Sequence, residues 1–137
     1  MSNIRDWQVV EARKLRDLEL AELIELVEQG LQLDLTVLFN GMMLSGKVIS
    51  GTKYYEILAE NFDNLNQPLS TYFSSVGLQR YANQDEKEEP LLNFIHFEDV
   101  RIQIGSNQLM NLPGQPCRVK LEEINGHFHG LMSTNGK

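Results

Sequence analysis

Two histidines have a spacing that can place two ligands on one metal ion. His127 and His129 are two positions apart in a segment with strand character, so their side chains project from the same face. His96 is conceivable as a third imidazole ligand. The pair directly follows the turn signal Asn125-Gly126, however, and polar residues in such a place usually face water. We therefore assign no metal ligand, and metal binding by the pair stays an open question.

The other groups with reactive side chains lack the partners that would activate them. Cys117 is the only cysteine, which excludes an intramolecular disulfide, and no cysteine-protease signature surrounds it. Gly46-Lys47 is followed by Val48 instead of the Ser or Thr of a phosphate-binding loop. Glu122-Glu123 point to opposite faces of a strand and cannot form a carboxylate pair. We predict no catalytic residue, no cofactor and no enzymatic activity.

Aromatic residues are concentrated in the middle of the chain. They are Tyr54, Tyr55, Tyr72, Phe73 and Tyr81. Helices with such a stripe normally bury it against a sheet. Tyrosines that stay exposed in a groove beside a strand edge are good anchors for a partner peptide. We predict these five residues as a partner-binding set.

The first element that must position these groups is an amphipathic helix at residues 6–29. Its apolar residues recur at three- and four-residue steps, Asp6 is a plausible N-cap, and Gly30 is a common place for a helix to end. The apolar stripe of residues 15–27 has two open interpretations. It packs on the sheet of the same chain, or it docks a second subunit or partner.

Strand signals flank a helical insertion. Residues 31–50 alternate in polarity around Asn40-Gly41, which predicts a two-residue hairpin, and Gly46 predicts a bulge or bend. Residues 52–82 predict two short helices, and residues 83–90 predict an acidic loop. Strand character returns at residues 91–104, where Glu98-Asp99 can bend or break the run.

The last part of the chain predicts a loop and a second hairpin. Residues 105–116 are rich in Asn, Gln, Gly and Pro, which is typical of a loop. Residues 117–132 read as two strands around the turn signal Asn125-Gly126. The sum is one α+β domain over residues 1–137, with about five mainly antiparallel strands in a bent sheet or small open barrel.

The composition is that of an ordinary globular chain with an acidic surface. Of 137 residues, 42% are apolar and 23% are charged, and 12 Lys+Arg against 19 Asp+Glu give a net charge of -7. Binding to a phosphate backbone needs a basic surface, so we predict no nucleic-acid partner. No apolar run approaches the roughly 18 residues of a membrane span, and no signal-peptide core is present. We predict a soluble cytoplasmic protein with no membrane partner.

Two family resemblances arise from these patterns. Residues 37–46, a hydrophobic strand with a turn glycine and a second glycine, resemble the first motif of Sm-like RNA-binding proteins, in which a helix precedes a five-stranded bent barrel. The RNA-contacting residues of that family are absent: His96-Phe97-Glu98-Asp99 stands where its Arg-Gly is expected. A nucleic-acid-binding module of this type is the weaker alternative.

The closer resemblance is to gas vesicle accessory proteins of the U type. Four segments resemble that family in order: residues 33–37 with 40–41 and 45–50, residues 54–56 leading to 62, residues 95–101, and residues 119–121 with 124–130. The resemblance implies a non-catalytic assembly factor of a bacterial protein-shelled compartment, first of all a gas vesicle. Its partner would be a structural shell or wall protein, or the tail of one. A carboxysome shell assembly factor is an alternative, and a homo-oligomer is possible.

Overall fold

The computed structural model describes residues 17–82, 93–105 and 108–132 and shows an α+β fold there. The helices are α1 (Leu18–Glu28), α2 (Gly51–Phe62) and α3 (Gln67–Gly77), and a π-helical turn (Leu78–Ala82) follows α3. The strands are β1 (Leu33–Phe39), β2 (Met42–Ile49), β3 (Phe94–Ile104), β4 (Leu109–Leu112), β5 (Cys117–Lys120) and β6 (Gly126–His129). The predicted fold class, with its leading helix, bent antiparallel sheet and helical insertion, is confirmed. The acidic loop at residues 83–90 lies outside the described residues.

Helix α1 begins at a carboxylate cap and ends near a glycine. The Asp17 side chain accepts hydrogen bonds from the backbone N–H groups of Glu19 and Leu20. The predicted cap Asp6, with the first part of the predicted helix, lies outside the described residues. The predicted stop is confirmed, because Gly30 follows the C-cap with a φ of 113°.

The sheet has the strand order β4-β3-β2-β1-β6, and β5 pairs with the first half of β3. All of its pairs are antiparallel. The predicted hairpin between β1 and β2 is confirmed, since Asn40 and Gly41 both have positive φ, at 50° and 77°.

One β-bulge bends the centre of the sheet. The register between β2 and β3 shifts between Ser45 and Lys47, opposite Asp99, which has a φ of 55°. A Cβ on Gly46 would lie 2.9 Å from the backbone oxygen of Glu98. The bend predicted at Gly46 and the one predicted at Glu98-Asp99 are therefore the same feature, and β3 continues through it.

The prediction of a plain loop at residues 105–116 was wrong. Four of these residues form β4, which pairs with the second half of β3 from Val100 to Gln103. The polar composition of this segment did not indicate a strand. Strand β4 lies at the sheet edge, where two of its four residues are exposed, so it does not need a continuous apolar pattern. The described chain thus has six strands, one more than the predicted number of about five.

The second predicted hairpin was also wrong. Residues on either side of Asn125-Gly126 do not pair with each other: β5 pairs with β3, and β6 pairs with β1. Strand β5 ends at Lys120, and a 3₁₀ turn (Leu121–Glu123) follows, with Leu121 fully buried. The backbone N–H of Asn125 then donates to the carbonyl of Leu38, which attaches the chain to β1. Burial of the connection therefore overrides the local turn signal.

Two apolar cores lie on opposite faces of the sheet. Val48 belongs to the first core and its neighbour Ile49 to the second, and adjacent strand residues point to opposite faces. Helix α1 packs Leu20, Ile24 and Val27 into the first core. For these three residues, packing within the chain is confirmed over docking to a partner. Helices α2 and α3 and the π-helical turn form the second core.

Candidate partner-binding site

The helical insertion is positioned by side chains that cap both of its helices. The Ser50 hydroxyl accepts from the backbone N–H of Lys53, and the Asn66 side chain accepts from that of Leu69. The first N–H of α2, from Gly51, donates to the Glu28 carboxylate of α1 at 3.0 Å. Lys53 of α2 also forms an ion pair with Glu98 of β3 at 3.1 Å, so the insertion contacts both α1 and the sheet.

Three of the five predicted partner-binding residues form the interior of the insertion. Tyr54, Tyr55 and Tyr81 are 8%, 4% and 5% exposed. Their rings surround His96 with centroid distances of 4.7, 6.4 and 5.5 Å. Burial raises the pKa of the Tyr54 and Tyr81 hydroxyls, so these phenols stay protonated at neutral pH. The structure therefore places these three residues in packing, and their contact with a partner stays a prediction.

The sequence did not predict the buried packing role of His96, which was considered only as a metal ligand, or the role of the neighbouring Arg118. Burial, and then the charge of Arg118, lower the pKa of His96 to about 3. The Arg118 guanidinium donates to the Tyr55 hydroxyl at 3.0 Å and lies 3.6 Å from the centre of the Phe94 ring. The one available signal was that an arginine interrupts a strand with apolar neighbours. These two side chains support the fold of the insertion.

A small apolar groove lies between α2 and α3, and we call it the insertion groove. It has a volume of about 220 Å³ and is lined by Thr52, Tyr55, Glu56, Phe73, Ser74, Gly77 and Leu78. A Cβ on Gly77 would lie 2.9 Å from the Tyr55 Cβ, so glycine allows the two helices to approach here. Of the predicted residues, Phe73 and Tyr55 line the groove, and Tyr72 packs beside Phe73 at 5.6 Å.

Two large apolar side chains are exposed at or near the insertion groove: Leu78 lines it, and the Tyr72 ring contacts Phe73 of the lining. Tyr72 is 55% exposed and Leu78 is 62% exposed. Such side chains cost little to leave exposed singly, but a pair beside an apolar groove marks a place where a partner can bury area. Of the five predicted residues, Tyr72 and Phe73 are the two that are not buried, and their contact with a partner stays a prediction.

A larger charged cleft lies on the other part of the same sheet face. It has a volume of about 410 Å³, and its lining includes Asp34, Lys47, Asp99 and Arg101. The segment from Gly130 to Met132 crosses the sheet beside it. The bulge beside this cleft was predicted at Gly46, whereas the path of the segment over the sheet has no local sequence pattern.

The three histidines considered as metal ligands do not come together. His96 lies in the interior among the tyrosines, whereas His127 and His129 lie on β6, on the face that Asp17 and Glu19 of α1 approach.

Within the described residues, no helix has the length and apolarity needed to cross a bilayer.

Comparison with known proteins adds one match that covers most of the chain. The model of the family described as "Gas vesicle protein GvpU-like" matches residues 17–132. The chain belongs to the GvpU-like gas vesicle protein family. This confirms the closer of the two resemblances and makes the chain an accessory protein of gas vesicles. No curated protein and no solved structure matches it.

Proposed function

We propose that this GvpU-like protein is a non-catalytic factor that binds an apolar segment, such as a tail, of the gas vesicle wall protein. The insertion groove receives that segment. The observation that carries the proposal is the groove of about 220 Å³, with Leu78 exposed in its lining and Tyr72 exposed beside its Phe73. Family membership supports the gas vesicle as the compartment, and the exposed apolar side chains support the groove as the binding surface.

The construction of the groove supports a binding role. Its walls are two helices whose ends are capped and whose inner side is a packed aromatic core, so the surface is formed before a partner arrives. Aromatic anchors with a rigid base lose little conformational entropy on binding. The net charge of -7 opposes the nucleic-acid alternative, because phosphate contacts need cations.

The test is capture of purified wall protein or of intact gas vesicles by the purified chain. Tyr72→Ala and Leu78→Ala remove exposed side chains beside the groove, and each should weaken binding about tenfold, the effect of losing roughly 1.4 kcal/mol at an interface hot spot. Phe128→Ala is the matched control, since Phe128 is also a large exposed residue, at 46%, but lies on β6 outside the groove.

Unchanged capture by both groove variants, with circular dichroism like that of the wild type, would overturn the surface assignment. Equal weakening by the Phe128 control would show that the effect is not specific to the groove. A salt-sensitive gel shift with single-stranded RNA, together with no capture of wall protein, would favour the Sm-like alternative instead.

A further inference from the structure

Two imidazoles and a carboxylate meet where the first turn of α1 approaches the edge strand β6. Glu19, His127 and His129 each bring one possible ligand atom within 4.8 Å of those of the other two. In the register of β6 with β1, His127 lies opposite Val37 and His129 opposite Leu35, so both imidazoles are on the face that α1 covers. The sequence spacing gave the two histidines, and only the fold adds Glu19.

A second carboxylate, that of Asp17, lies beside the imidazole of His127. The two oxygens of Asp17 have separate tasks: Oδ1 caps α1, and Oδ2 lies 3.3 Å from His127 Nδ1. His127 Nε2 lies 3.5 Å from Glu19 Oε1. One ring nitrogen therefore faces an orienting carboxylate, and the other faces the remaining groups of the cluster. A histidine that ligates a metal normally donates its second N–H to such a carboxylate, which fixes the tautomer and the ring plane.

From this arrangement we propose that Glu19, His127 and His129 form a binding site for a divalent transition metal of the zinc class, with Asp17 as a positioning residue. Two imidazoles select zinc, copper or nickel over calcium and magnesium, which prefer oxygen ligands alone. A set of three protein ligands leaves one position of a tetrahedral ion open to water. The site goes beyond the proposed wall-protein binding and involves no residue of the insertion groove.

The ion would join α1 to β6, which approach each other here through Asp17 and Glu19 of the helix and His127 of the strand. His127 is largely buried, with a side chain 12% exposed, whereas the Glu19 side chain is 64% exposed. The site is therefore open on the helix side, where an ion can enter, and fixed on the strand side. Because the metal binds only the folded arrangement, it should raise the melting temperature of the protein.

The experiment is calorimetric titration of the untagged, chelator-treated full chain with zinc chloride, followed by cobalt(II) titration in the visible range. We expect one ion per chain and cobalt d–d bands of a low-coordinate site. His127→Ala and His129→Ala should each weaken zinc binding at least tenfold. Glu25→Gln, which removes an exposed acid from the same helix outside the cluster, should leave it unchanged.

The Asp17→Asn variant distinguishes the contact of Asp17 with His127 from its capping of α1. Asparagine caps a helix about as well as aspartate, so the variant should keep α1 and its melting temperature without metal. It should nevertheless weaken zinc binding about tenfold and shift the cobalt spectrum, because the imidazole loses its orienting carboxylate.

Three results would overturn the proposal. One is the absence of zinc binding by the wild type at a hundred-micromolar concentration. Another is unchanged zinc binding by His129→Ala, whose exposed side chain can be removed without loss of the fold. The third is equal weakening by Glu25→Gln, which would mean that only the general acidity of the surface attracts the ion. In each case Asp17 and Glu19 would be neighbours of His127 without a role in metal binding.

Discussion

The buried His96 should make the protein lose stability between pH 7 and pH 5. The side chain is 3% exposed, and its Nε2 has no hydrogen-bond partner among the described residues. Burial, followed by the charge of Arg118 on β5, lowers its pKa to about 3, and the phenols of Tyr54, Tyr55 and Tyr81 complete its surroundings. The imidazole is therefore neutral in the folded protein throughout this pH range.

The sign of the effect follows from the two pKa values. In the unfolded chain the imidazole takes up a proton below its ordinary pKa of about 6.5, whereas in the folded protein it does so only near pH 3. The unfolded state thus binds more protons in between, and the free energy of unfolding falls as the pH falls. At a limiting slope of about 1.4 kcal/mol per pH unit, His96 should cost about 2 kcal/mol between pH 7 and pH 5.

The assay is urea unfolding of the wild type and of His96→Gln and His96→Phe at pH 7, 6 and 5. Substitution changes the stability at every pH, so the measured quantity is the part of the difference that depends on pH. The chelator-treated His129→Gln is the matched control, because it removes an exposed histidine and should keep the wild-type dependence on pH. Carboxylates titrate mainly below this range and are common to all variants.

The reasoning is refuted if both His96 variants lose as much stability between pH 7 and pH 5 as the wild type does. That result would mean that His96 is protonated in the folded protein, or that its surroundings open to water at no cost. Loss of the dependence in His129→Gln instead would assign the effect to β6.

Added methyl groups should distinguish glycines at close approaches from a glycine with ordinary contacts. Gly46→Ala places a Cβ 2.9 Å from the backbone oxygen of Glu98, so urea unfolding should show a loss of about 1–3 kcal/mol. Gly51→Ala places a Cβ 2.3 Å from the Tyr81 ring and should displace it, which tyrosine fluorescence would detect together with a similar loss of stability. In Gly126→Ala the nearest atom lies at 3.4 Å, an ordinary contact, so a loss above about 1 kcal/mol there would contradict the steric argument.

Local patterns predicted most of the elements because the physics behind them is local. The Asn40-Gly41 hairpin needs two residues that accept positive φ, and the alternation around it needs one buried face. The periodic pattern of residues 52–82 likewise predicted the two helices of the insertion, although the second one ends at Gly77 and a π-helical turn covers the last five residues.

The site could be predicted only in part, because its surface is decided by contacts between distant segments. Composition places Tyr54 and Tyr72 in one aromatic set, yet one ring packs on His96 and the other is exposed. The wrong hairpin at Asn125-Gly126 has the same origin, since the partners of the flanking strands lie far away in sequence. Glu19 could not be joined to the histidines without knowing that β6 lies under α1.

The pairing of β6 with β1 has a consequence for the order in which the protein folds as it is synthesised. Until β6 emerges, the outer edge of β1 has free backbone donors and acceptors, a state that invites pairing with other chains. The fully buried hydroxyls of Thr36 and Ser45 also form their hydrogen bonds to the backbone of Gly130 and Met132 only after this last segment has been made. A nascent chain that has made the first five strands is therefore the species most exposed to aggregation, and rapid completion of β6 protects it.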